Sequence, residues 1–267
     1  MKTAAAIGMV LVALGFSSVA AETNQIPSAS PVPKAAPAGG KGTAAMSRAA
    51  EANQYLFVFF HEKDEDATRT ARTTFDESVK KITPALQTVV VDRTDPAESE
   101  IVARFGVDRA PMPLVLAIAP NGAVTGGIKA SDLTEERLRD AIASAGLQKC
   151  LKALQNRHLV LVCLQNASTQ ENDAAMKGVN DFKADKQFGE MTEIVKVDPG
   201  DAKEAKLVAQ LKADPQSKTA ATAILAPPGV FVALIDGSTS MEDLKAALQK
   251  SASSCAPGSG CCPAPAK

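Results

Sequence analysis

The residues best equipped for chemistry in this 267-residue chain are five cysteines, two histidines and one short run of acids. Cys255, Cys261 and Cys262 lie in the closing segment Ser254-Cys-Ala-Pro-Gly-Ser-Gly-Cys-Cys-Pro, among small and turn-forming residues that cannot build a core. Three thiols so placed can gather around a soft ion, Cu or Zn, as thiolate ligands. They can equally form a disulfide from Cys255 to Cys261 or Cys262, leaving an odd thiol that links two chains into a dimer, or serve as a flexible redox tail. No fourth ligand stands at standard zinc spacing. Cys163 ends the apolar run His158-Leu-Val-Leu-Val-Cys, where a cysteine behaves as a small buried hydrophobe, and Cys150 sits in Leu147-Gln-Lys-Cys-Leu. An oxidising compartment permits a Cys150–Cys163 disulfide, which sequence spacing does not establish.

His61, Asp64, Glu65 and Asp66 form the acidic group. As a hard-metal or acid–base cluster it competes with a plainer reading: acids at the start of a helix cap its N–H groups and complement its dipole. The plainer reading is preferred. His158 opens a strand beside Arg157 with no partner at ligand spacing, and Asp92 and Asp198 read as strand-end aspartates that cap the helices following them.

The elements that must carry these residues recur. Tyr55-Leu-Phe-Val-Phe-Phe60 is a strand-like run rich in aromatic and β-branched residues, and His158 to Cys163 repeats it about a hundred residues later. Each is followed by a polar turn and a helical stretch, Ala67 to Lys81 and Glu171 to Lys186. Thr88 to Asp92 and Glu193 to Asp198 are strands leading into short helices, Ala97 to Phe105 and Ala202 to Lys212, with Ile101, Val102 and Phe105 or Leu207, Val208 and Leu211 on one side. Pro113 to Gly122 and Thr222 to Gly229 read as strands closed by turns. A further strand and an amphipathic helix follow in each half, ending with Leu133 to Ala143 and Met241 to Leu248. The order β-α-β-α-β-β-α implies an α/β fold in which each half is a mixed sheet flanked by helices.

The stretch Val91-Asp92, then Ile101-Val-Ala-Arg-Phe-Gly-Val107, Pro113-Leu-Val-Leu and Asn121-Gly122 resembles the thioredoxin pattern of strand, helix, aromatic-Gly-Val, proline, strand and turn. The resemblance covers Gln54 to Ala143 and extends to the second half by element order. It implies two tandem thioredoxin-like domains. It also implies that Pro113, with Met112 before it, occupies the place of the family's cis proline, where the preceding backbone pairs with an extended partner; Pro111 competes for that place. The family's Cys-x-x-Cys falls on Asp64, Glu65, Asp66 and Ala67, and its buried acid near Val58. No thiolate nucleophile is present there, so no mixed disulfide can form. In the second half the matching turn is Ala167 to Gln170 and the proline position is close to Ala221, again without cysteine.

The ends bound location. Lys2, the apolar run Ala4 to Phe16 and the small residues up to Ala21 form a secretory signal, cleaved after Ala20 or Ala21. The run is shorter than the roughly 20 residues that span a bilayer. A formal net charge of −1, no tryptophan and a single tyrosine supply neither the basic field nor the stacking surface of a nucleic-acid binder. The expected organisation is a signal peptide over 1–20, a Pro/Ala-rich flexible linker over 21–46, domains over 47–146 and 147–250, and a cysteine-containing flexible tail over 251–267. The expected function is that of an exported, periplasmic or secreted, non-catalytic binding or scaffold module of the cell envelope. Its partner is expected to be a protein or peptide held at Met112 and Pro113, with no nucleic acid and no transmembrane helix after signal cleavage. The alternative is a thiol–disulfide oxidoreductase or a Cu- or Zn-binding protein working through Cys255, Cys261 and Cys262, no other cofactor being implied.

Overall fold

The computed structural model describes residues 39–83 and 86–254. The signal-like segment, most of the Pro/Ala-rich stretch and the tail from Cys255 onward lie outside them.

The first half begins with α1 (Lys41–Glu51), inside the segment expected to be linker up to residue 46. Its Ala-rich sequence favours helix, and Ala45 and Ala49 are buried against the sheet. Strand β1 (Leu56–His61) is followed by α2 (Asp66–Val79), β2 (Gln87–Asp92), a 3₁₀ turn at Pro96–Glu98 and α3 (Ser99–Phe105). Strands β3 (Leu114–Ile118) and β4 (Val124–Lys129) and helix α4 (Glu135–Asp140) complete it. The sheet order is β2-β1-β3-β4, with β1 parallel to β2 and β3 antiparallel to both of its neighbours. Strand β1 is buried on both faces, which is why its sequence reads as a continuous apolar run. Phe57, Phe59, Phe75 and Leu138 fill one side, toward α2 and α4. Leu56, Val58, Phe60 and Ile101 fill the other, toward α1 and α3.

The second half repeats this arrangement. It runs through α5 (Ala145–Gln155), β5 (Leu159–Leu164), α6 (Asn172–Lys183), β6 (Thr192–Val197), a 3₁₀ turn at Ala202–Glu204 and α7 (Ala205–Gln210). Strands β7 (Ala221–Ala226) and β8 (Val230–Asp236) and helix α8 (Met241–Ser254) follow, in the sheet order β6-β5-β7-β8. Sequence reading missed the opening helix of each half; each unit is α-β-α-β-α-β-β-α.

Superimposing the elements moves the register of the first strands by one residue from the sequence alignment. Asn53 and Arg157 both adopt positive φ ahead of their strands, and α1 and α5 match residue for residue, so His61 corresponds to Gln165 and Cys163 to Phe59. The equivalence extends to a buried device. In the first half the carboxylate of Glu98, 1% exposed, accepts the Gly42 N–H at 3.0 Å; in the second Glu204 accepts the Gly146 N–H at 2.8 Å and the Ser144 hydroxyl at 2.5 Å. Each acid meets unsatisfied N–H groups in the first turn of the opening helix, where negative charge is favoured.

The two halves are tied through α5. The Gln155 side-chain amide donates to the Val124 carbonyl at 2.7 Å and accepts the Val124 N–H at 3.0 Å, occupying the outer edge of β4. Asn121, in the β3–β4 turn, donates to the Gln148 carbonyl at 2.9 Å. The single tyrosine, Tyr55, anchors the end of the first half: its hydroxyl donates to the Ala143 carbonyl and accepts the Ala143 N–H. Among the described residues no helix is long and apolar enough to cross a membrane.

Candidate functional site

The end of β1, the start of α2 and the segment ahead of β3 meet at one end of the first sheet. Asp64 to Ala67, the positions matching a Cys-x-x-Cys, are exposed, and α2 begins within them at Asp66. Their acids do not form an open metal cluster, because each is paired with a cation, Asp64 and Asp66 sharing one. Arg69 pairs with Asp64 at 3.3 Å and also with Asp66, Lys63 stands 3.8 Å from Glu65, and Glu62 pairs with Arg93. Among the described residues no group of acids, histidines or cysteines could hold a metal ion. His61 stays apart from these pairs, with a buried Nδ1 that has no hydrogen-bond partner.

The Met112–Pro113 bond is cis, which places Pro113 rather than Pro111 at the position implied by the resemblance. Arg93 holds this segment against the β1–α2 loop. Its guanidinium donates to the carbonyls of Val107 at 3.2 Å and Ala110 at 2.8 Å while pairing with Glu62. Sequence reading missed Arg93 because two of its three partners are main-chain carbonyls, which leave no signature in side-chain spacing. Glu62, Lys63, Glu65, Ala67, Thr68, Met112 and Pro113 line a polar hollow of about 250 Å³.

The backbone at Met112 is open: among the described residues neither its N–H nor its C=O has a hydrogen-bond partner, while the Pro113 carbonyl is held by Ala130. The second half closes the same edge on itself. By strand pairing the residue equivalent to Pro113 is Ala220, not Ala221, and Thr219 stands for Met112. The Ser217 hydroxyl donates to the Thr219 carbonyl at 2.9 Å and accepts the Thr219 N–H at 3.2 Å. Gln170 bridges the flanking groups, donating to the Lys218 carbonyl and accepting the Ala220 N–H. The turn expected at Ala167 to Gln170 is thus already paired, and Pro113 has no N–H with which to form the same bridge. A second cis bond, Pro227–Pro228, lies in the β7–β8 turn, away from this edge.

The remaining sequence candidates are dispersed. Cys150 and Cys163 are free and buried, so the Cys150–Cys163 disulfide is not formed; Cys150 packs with the α5 and α7 side of the second sheet and Cys163 with the α6 and α8 side. Burial pushes the Cys150 thiol up to about 12, helped by the negative charge of Glu204, and the Cys163 thiol up to about 11. His158 is not an isolated strand-end residue: its Nδ1 lies 3.5 Å from Glu193 on β6. Asp92 and Asp198 do not cap the helices. Asp92 bonds within its own turn, to the hydroxyl and N–H of Thr94, and Asp198 accepts from the Asn166 amide in the loop after β5 and from the Gly200 N–H in its own turn; these contacts hold both carboxyls below the usual range. The caps are Asp95 and Asp201, each accepting the N–H two residues on. The metal, disulfide and dimer expectations for Cys255, Cys261 and Cys262 fall outside the described residues.

No protein-family model matches the sequence, and no curated protein matches it. Among solved structures, the chain is similar to a disulphide isomerase from Xylella fastidiosa Temecula1, at 15% identity over 41% of this chain and 92% of that one, with a TM-score of 0.31. It is also similar to the first two thioredoxin domains of Saccharomyces cerevisiae Eps1p, at 11% identity over 77% of this chain and 92% of that one, TM-score 0.30. Human ERp44 form II is 10% identical over 84% of this chain and 59% of that one, TM-score 0.34. The fold assignment rests on strand order and direction rather than on these likenesses. With a parallel β1–β2 pair, an antiparallel β3–β4 hairpin added beside β1, helices on both faces, and the same plan repeated, the chain consists of two tandem thioredoxin-like α/β domains.

Proposed function

We propose that the protein is an exported, non-catalytic thioredoxin-fold binding or scaffold module of the cell envelope, which takes an extended polypeptide segment at Met112 and Pro113 of its first domain. The observation that carries this reading is the contrast at the proline edge. Among the described residues the main-chain groups of Met112 are unpaired, whereas the equivalent Thr219 is satisfied by Ser217 and its neighbours by Gln170. An extended segment gains affinity from such main-chain groups and specificity from an adjoining pocket. Here the pocket carries Glu62, Lys63 and Glu65, which suits a polar side chain. The non-catalytic part draws on the absence of cysteine at Asp64 to Ala67 and on the burial of Cys150 and Cys163. Export draws on the leader-like residues 1–20.

A random peptide library displayed on phage tests the binding role. Selected peptides are expected to slow hydrogen exchange at the Met112 amide and to leave the second domain unchanged. No enrichment, or protection confined to other residues, refutes it. The non-catalytic role is tested by insulin reduction: turnover that disappears when Cys261 and Cys262 are both replaced by serine would establish the oxidoreductase alternative.

A further inference from the structure

At the end of the first sheet away from Pro113, the β3–β4 turn Pro120-Asn121-Gly122 rises as a ridge between two hollows. The first, about 220 Å³, lies between α1 and the turn and is lined by apolar groups, including Met46, Leu56 and Ile118, with Arg104 and Asn121 at its rim. The second, about 240 Å³, lies against the second domain and is lined by Asn121, Lys149, Lys152 and His158. Arg104 and Lys152 lean over the ridge from opposite domains. A methyl group placed on Gly122 would sit 3.6 Å from Lys152 Nζ and 3.9 Å from Arg104 Nη2, so the two cations lie no more than about 7.5 Å apart.

Among the described residues, Arg104, Lys149 and Lys152 form no ion pair with any carboxylate. Glu193, the carboxylate that lines the second hollow, already faces His158. Around Asp64 to Asp66 the charges are neutralised locally, whereas at this turn cations converge from two domains with no acid paired to them among the described residues. The turn that separates them is fixed, because the Asn121 side chain is committed at both ends, to the Gln148 carbonyl and to the Ala123 N–H.

We propose that this junction is a binding site for a small organic anion, a carboxylate or phosphate monoester carrying one compact apolar group. Two charge-assisted contacts of about 2.8 Å, one from each cation, span the separation with a single carboxylate or phosphate between them. The apolar group enters the hollow beside Met46, Leu56 and Ile118. Because Arg104 belongs to the first domain and Lys152 to the second, the bound anion also fastens the domains together.

Phenyl phosphate is the probe, titrated calorimetrically into the full chain alongside inorganic phosphate. Phenyl phosphate is expected to bind more tightly than inorganic phosphate and to raise the unfolding temperature by linkage. Arg104→Gln and Lys152→Gln should each weaken it about tenfold, as expected for loss of a charged contact, while Lys177→Gln, on the exposed face of α6, leaves it unchanged. Both tested side chains reach over the surface, and circular dichroism verifies that the variants fold. Equal affinity for phenyl phosphate and inorganic phosphate overturns the apolar half of the proposal. No binding at millimolar probe, or binding indifferent to Arg104 and Lys152, overturns the whole. Co-sedimentation with phosphatidic acid vesicles, lost in the two variants, would reassign the site from a soluble anion to a lipid headgroup.

Discussion

Replacing Glu98 by alanine tests whether the buried acids organise each domain. The substitution leaves the buried Gly42 N–H without its acceptor, which costs about 1 to 3 kcal/mol. It also removes a negative charge from the N-terminal turn of α1, worth about 0.3 to 2 kcal/mol depending on burial. With Glu98 only 1% exposed, the upper part of each range applies, and the expected loss for the first domain is about 3 to 5 kcal/mol. Glu98→Gln keeps an oxygen acceptor and loses the charge, so about 1 kcal/mol is expected. Urea unfolding followed by circular dichroism should show the first-domain midpoint falling in the order wild type, Gln, Ala with the slope unchanged. Glu204→Ala should affect the second domain in the same way, since Gly146 and Ser144 lose their partner together. A Glu98→Ala loss below about 0.5 kcal/mol, the level of an ordinary surface change, refutes the assignment.

Three further outcomes follow from packing and charge. Gly178→Ala should cost the second domain about 3 kcal/mol by overpacking, because a methyl there overlaps the Thr239 carbonyl; a midpoint equal to wild type in urea counts against the α6 packing. Gln155→Ala should lower stability by about 1 kcal/mol and promote concentration-dependent association, read by light scattering, since it uncovers β4 at Val124; unchanged scattering removes the edge-capping role. Alkylation requires the thiolate, and thiols raised to about 12 and about 11 stay protonated at neutral pH. Maleimide should therefore spare Cys150 and Cys163 in the native chain, labelling them only in denaturant or as pH climbs toward those values. Mass spectrometry finding either modified at the rate of an unfolded peptide contradicts their burial.

The strands and most helices were legible because burial on both faces of β1 and β5 writes itself as apolar runs, and because the same order occurs twice. Helix α1 was not. Lys41 to Glu51 is small and alanine-rich, so composition alone groups it with the linker, and what makes it a helix is contact with the sheet and with Glu98. The buried acids had a readable trace: Asp95-Pro-Ala-Glu98 and Asp201-Ala-Lys-Glu204 share an Asp-x-x-Glu spacing, which resembles a capping box. The second acid of each, however, reaches a helix elsewhere in the sequence, which spacing cannot disclose. At the candidate site Pro113 could be named from its neighbours. The closing of the second edge by Ser217 and Gln170 depends on main-chain pairing and on a one-residue register that side-chain types do not report.

The amide of Gln155 also sets a clock. The edge it covers, at Val124, is synthesised 31 residues earlier. At a synthesis rate of about 5 to 20 residues per second, that edge exists for roughly 2 to 6 s before its cover has been made. During that interval β4 has unpaired main-chain groups and the sequence Val-Thr-Gly-Gly-Ile-Lys, whose paired glycines pair weakly with a stray strand. The glycines, one of which also leaves room for Ala141 against the finished sheet, thus guard the nascent chain against its neighbours until the next domain's opening helix arrives.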